Sequence, residues 1–156
     1  DVYKRQQKEC QFIESYLMLE KVRFEERLYY DIQVEEGLWD FSIPKLLLQP
    51  LIENAMLHGM PKDGNSLSIL LEVCQIESKN GEAFVWIKVA NDGIPYKEKD
   101  ISTKDRVGIT SVRDRLFITY PDSFFWYERK GRFQTVCNLL IAKEEKLSLG
   151  EREDKL

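Results

Sequence analysis

Glu53, Asn54 and His58 stand together near the end of IPKLLLQPLIENAMLHG (Ile43 to Gly59), a stretch whose other positions are almost all apolar. Burying a carboxylate, an amide and an imidazole without partners costs on the order of several kcal/mol, so such groups in an apolar helix point to something that meets them. At about 100° per residue Asn54 and His58 stack on one side of a helix, and Glu53 falls a quarter-turn away. An amide oxygen is a hard donor suited to Mg²⁺, an imidazole can donate to a phosphate oxygen, and a neighbouring carboxylate can take a proton or orient water. The bland alternative is a polar helix end closed by Gly59 as a C-cap.

The elements that position these residues follow from periodicity. Ile13, Tyr16, Leu17, Phe24 and Leu28 recur at threes and fours, which predicts an amphipathic helix from Gln7 to about Leu28. Its stripe has no partner helix close in sequence and is expected to belong to a helical pair whose other members lie upstream. Tyr29 to Val34 alternates as a strand, and Ser42 with Pro44 is expected to open the helix that carries Asn54. Leu67 to Ile76 and Ala83 to Asn91 flank an Asn80-Gly81 turn and predict a hairpin. Asp92 to Val107 reads as a long polar loop, Ile109 to Tyr120 as a second amphipathic helix, and SFFWYER with FQTVCNLLIA as the last two strands. The expected fold class is α+β: one mixed, mostly antiparallel sheet covered on one face by helices, with an N-terminal amphipathic linker helix.

The 156 residues allow one domain. DVYKRQ reads as the translation of a sequencing-library adapter, so residues 1–6 are set aside as an artefact. Residues 7–28 are expected to be the end of a helical domain and its linker, 29–142 the main domain, and 143–156 a charged tail. A composition 43% apolar and 32% charged has no run long enough to span a membrane, and a net charge of −4 with scattered Lys and Arg argues against nucleic acid as a partner. Cys10, Cys74 and Cys137 fit reduced thiols better than a disulfide frame or a zinc site.

LQPLIENAMLHG resembles the N box of the GHKL ATP-binding superfamily, in the form typical of LytS/YesM-like sensor histidine kinases. ESYLMLEKVRFEERL resembles the segment that joins the dimerisation helices of those kinases to their catalytic domain. GITSVRDRLFITYPD resembles the second glycine box and the helix after it. The resemblance implies a Bergerat-type sandwich that binds ATP and Mg²⁺. It assigns Asn54 to Mg²⁺ between the phosphates, Glu53 as base or positioning group, His58 to phosphate, Asn91, Asp92 and Gly93 to the first glycine box, Gly108 to phosphate at a helix start, and Thr135 to the base pocket. It further implies a homodimer formed through upstream helices, a response regulator as partner, and a cytoplasmic domain of a bacterial inner-membrane sensor that itself makes no membrane contact.

The chain departs from that pattern in both glycine boxes. In VANDGIPY, Asn91 stands where the family has the Asp that reads the adenine amino group, and Pro95 where it has a second Gly; Arg106 replaces a Gly before Gly108. The single histidine, His58, lies inside the N box, so this chain alone is not expected to autophosphorylate. The leading expectation is transfer of the ATP γ-phosphate to a histidine on an upstream helical domain. The alternatives are a degenerate domain acting as a signalling or dimerisation scaffold, and a GHKL ATPase or serine-directed anti-sigma kinase.

Overall fold

The structure, a computed structural model, describes residues 3–44, 47–95 and 103–143, and side chains within 8–43, 47–95 and 111–143. In chain order the elements are β1 (Tyr3–Arg5), α1 (Gln6–Phe24), a 3-10 turn (Glu25–Arg27), β2 (Leu28–Val34), β3 (Ser42–Pro44) and α2 (Gln49–Gly59). Then come β4 (Leu67–Glu77), β5 (Ala83–Asn91), α3 (Thr103–Thr119), β6 (Phe124–Lys130) and β7 (Phe133–Ala142). A five-stranded sheet runs in the order β2-β4-β5-β7-β6, with β2 parallel to β4 and the remaining pairs antiparallel. The mixed, mostly antiparallel α+β sheet expected from the sequence is therefore present.

Strict alternation along the strands produces the core. Leu67, Ile69, Leu71 and Val73 of β4, Val85, Ile87 and Val89 of β5, and Cys137, Leu139 and Ile141 of β7 are all buried on one face, where Leu51, Ile52, Ala55 and Met56 of α2 and Val112 and Leu116 of α3 join them. The other face is half-exposed. There Trp86 and Trp126 lie with ring centroids 6.3 Å apart, and Lys88, in an ion pair with Glu72 at 3.1 Å, sits over the Trp86 ring.

Three sequence expectations are corrected. Ser42 and Pro44 do not open the site helix; they form β3, which pairs with β1, while Pro50 takes the first-turn position of a helix that begins at Gln49. The residue before a proline is driven out of the helical region, which suits Ile43 to a strand. Its partner strand β1 is Tyr3–Arg5. The α1 stripe does not wait for an upstream helix: Cys10, Ile13 and Leu17 are buried in this domain's core, with Tyr16 and Phe24 packed against it. Finally, α3 begins at Thr103, so the long loop after β5 is shorter than expected; residues 96–102 and 144–156 lie outside the described residues.

One contact joins the two N-terminal helices across the fold. The backbone N–H groups of Leu48 and Gln49, at the start of α2, donate to the carboxylate of Glu9 on α1 at 2.5 and 3.1 Å. Leu48, the residue before α2, makes no side-chain cap, so a carboxylate from a different helix meets the free amides there. Glu9 is 1% exposed.

Candidate nucleotide site

The candidate site lies between α2 and the sheet. Leu51, Asn54, Ala55 and His58 recur at the helical spacing and present one face of α2 to a cavity. The opposite wall comes from three adjacent strands. Register pairs Asn91 of β5 with Thr135 of β7, and Val89 with Cys137, which in turn pairs with Tyr127 of β6. Two neighbouring rungs of the sheet thus floor the cavity, and all five of those side chains line it together with Ile94. Among the described residues none of the lining side chains is a carboxylate, so an anionic ligand meets no fixed negative charge from them.

Close backbone approach shapes the rim. Ile94 N–H donates to the Gly59 carbonyl at 2.9 Å, joining the end of α2 to the chain leaving β5. A Cβ on Gly93 would fall 1.9 Å from that carbonyl oxygen, so only glycine allows the approach. Within the same turn the Oδ1 of Asn91 accepts from Gly93 N–H at 3.1 Å. Burial pushes the Cys137 thiol up to about 12, with the Tyr127 hydroxyl bonded to it, so the floor of the cavity is uncharged at neutral pH.

Of the residues singled out from the sequence, Asn54, His58, Asn91 and Thr135 converge on the cavity. Glu53 and Asp92 do not line it among the described residues. Glu53, a quarter-turn round α2, is exposed and accepts from Gln49 Nε2 at 3.0 Å. Asp92 alternates away from Asn91 and accepts from Ser68 N–H at 2.7 Å, so it fastens β5 to β4. Gly93 serves the close approach to Gly59. Gly108 lies in the second turn of α3 rather than at its start, which puts its amide inside the helical ladder instead of among the free amides expected for phosphate. The side chains of Arg106 and Val107 lie outside the described residues. Sequence reasoning missed Tyr127 and Cys137. The signal for Cys137 was present, since it stands two residues beyond Thr135 on a strand and must share its face.

The residues present fit a Mg²⁺ nucleotide. Among the described residues no three His, Cys, Asp or Glu side chains cluster as a metal site, so a divalent ion held by Asn54 would take most of its ligands from phosphate and water, as Mg²⁺ does. The half-buried Asn54 and His58 line the same cavity as the buried Asn91.

The fold and this site define a class. The catalytic domain of the histidine kinase ThkA superposes with a TM-score of 0.66 over 90% of this chain and 94% of that domain, at 14% identity, a likeness of fold. By sequence the chain is 36% identical over 119 residues to the sensor protein kinase HptS of Staphylococcus aureus and 28% identical over 120 residues to the sensor histidine kinase YesM of Bacillus subtilis. Those matches cover 72% and 76% of this chain, which spans 22% and 20% of the two relatives. No protein-family model matches the chain. The chain has the fold of histidine-kinase catalytic domains, and by sequence it is similar to part of the sensor histidine kinases YesM, LytS and HptS.

Proposed function

We propose that the chain is the ATP-binding catalytic domain of a two-component sensor histidine kinase, which passes the γ-phosphate of ATP to a histidine on an upstream helical domain and thence to a response regulator. The observation that carries this reading is the convergence of Asn54 and His58 from α2 with Asn91 and Thr135 from the sheet on one cavity. In the parent protein the domain would work in the cytoplasm as part of a homodimeric membrane sensor. No helix among the described residues is long and apolar enough to cross a membrane.

Phosphoryl transfer asks mainly for positioning and charge neutralisation. Mg²⁺, when bound, supplies neutralisation between the phosphates. Asn54 offers it a neutral oxygen ligand, and His58, one helical turn on, hydrogen-bonds phosphate. The apolar wall of Leu51, Val89 and Ile94 excludes water from the base. Glu53, exposed beside Asn54, is accessible to an imidazole arriving from solvent and can orient it or take its proton.

The second reading, a non-catalytic scaffold, is favoured by one observation: Glu53 stands outside the cavity, hydrogen-bonded to Gln49. Titration calorimetry with Mg²⁺ and ATP, on the native chain and on Asn54→Ala, separates the two. Binding that disappears in the variant or on chelation of Mg²⁺ supports the kinase reading. No heat at millimolar ATP, with both proteins folded by circular dichroism, transfers support to the scaffold.

A further inference from the structure

Among the described residues Glu9 is the only charged side chain that is buried, and it lines no part of the nucleotide cavity. Its Oε1 accepts from both Leu48 N–H at 2.5 Å and Gln49 N–H at 3.1 Å, where α2 begins. A cap drawn from a helix's own N-terminal flank satisfies the free amides locally. A cap drawn from a residue 39 positions away also fixes where the helix start sits relative to the helix that supplies it.

Directional bonds thereby hold α2 at both ends. At the far end the Gly59 carbonyl accepts from Ile94 N–H at 2.9 Å. Between the ends Ile52 and Met56 bury the underside of the helix in the core, but apolar contact is non-directional and sets its height over the sheet rather than its heading. Asn54 stands midway between the two supports, roughly 7.5 Å along the axis from Gln49. A shift of the Glu9 support by one methylene, about 1.5 Å, with Gly59 as pivot would move Asn54 by roughly 0.7 Å and His58 hardly at all. Metal-ligand and hydrogen-bond distances tolerate only about 0.2–0.3 Å.

We propose that Glu9 is a positioning residue for the nucleotide site: from α1, it holds Asn54 in place over the sheet wall of the cavity. The inference rests on the nucleotide reading above. No described side chain of α1 lines the cavity, so α1 acts on the ligand only through where it holds α2. A displacement of α1 then changes nucleotide affinity, and bound nucleotide steadies the junction of α1 with α2, because coupling between two sites is reciprocal.

The test is titration calorimetry of the full chain with Mg²⁺ and ATP on the native protein and on Glu9→Ala, Glu9→Asp and Glu9→Gln, each shown to be folded by circular dichroism at the temperature used. Ala removes the support, Asp keeps the charge on a shorter arm, and Gln keeps the accepting oxygen at the same reach without the charge. The expected result is ATP binding about 5- to 10-fold weaker in Ala and Asp, the scale of one lost ligand contact, and within about 2-fold of native in Gln. A merely structural cap would lower stability in all three and leave the affinity of the folded protein unchanged. Native affinity in folded Asp overturns the inference and leaves the nucleotide reading standing, and this arm decides even if Ala does not fold. Gln as weak as Asp also overturns it, since charge rather than placement would then govern the site. If the folded native chain binds no ATP, both the inference and the nucleotide reading fall.

Discussion

Replacing Glu9 by Ala should destabilise the domain by about 2–3 kcal/mol, more than any ordinary surface substitution on α1. The carboxylate accepts from Leu48 N–H at 2.5 Å and Gln49 N–H at 3.1 Å, and Leu48 is fully buried, so truncation leaves at least one amide with neither protein nor water as partner. A hydrogen bond to an ionised acceptor contributes roughly 1.5–3 kcal/mol, and a negative charge at a helix N-terminus adds roughly 0.3–1 kcal/mol. The desolvation of a side chain only 1% exposed offsets part of that sum. For a domain of this size the net loss corresponds to a fall in Tm of roughly 5–10 °C. Urea denaturation followed by circular dichroism measures it directly, with Glu9→Gln as the companion variant. Gln keeps a carbonyl oxygen for the two amides and loses only the charge, so it should fall between Ala and the native chain. A Glu9→Ala chain within about 0.5 kcal/mol of native, or Gln as damaging as Ala, would refute the claim that this carboxylate caps α2.

Two further outcomes follow from packing and burial. Gly93→Ala places a Cβ 1.9 Å from the Gly59 carbonyl oxygen and 2.6 Å from Leu67 Cδ1, and because the first obstacle is backbone the turn must move; the expected cost is about 3 kcal/mol, read from the same denaturation curves. Gly59→Ala, whose Cβ meets the Asn91 side chain at 2.9 Å, should cost less. Burial raises the thiols of Cys10 and Cys137 from 9.0 to about 12, so the unfolded chain ionises them first as pH rises. Their contribution to stability is complete below pH 9.0 and is lost toward 12, at about 1.4 kcal/mol per pH unit for each group. Urea midpoints between these limits should fall steeply in the native chain and less steeply in Cys10→Ala; equal slopes would contradict the assignment.

The sequence by itself determined what depends on local periodicity. Four-residue spacing put Asn54 and His58 on one face of α2 wherever that helix packed, and alternation in LSILLEVCQI, AFVWIKVAN and FQTVCNLLIA decided which side chains of β4, β5 and β7 entered the core. Asn80-Gly81 was enough to mark the hairpin, since Gly81 adopts a φ of +81° that most residues avoid. The ends of elements were less legible. Ser42 and Pro44 carry the marks of a helix start, yet a strand more than thirty residues earlier claims them as its partner.

Only the tertiary structure decided how the site is assembled. Asn91 and Thr135 are brought side by side by the β5-β7 register, Tyr127 reaches the floor through the β6-β7 register, and Glu9 caps α2 from another helix. None of these pairings has a local signature, because each is chosen by which hydrophobic faces bury each other across tens of residues. The same holds for the orientation of Asn91. Its identity was readable, but that its Oδ1 accepts from the Gly93 amide close beside Gly59 is set by how α2 meets the sheet.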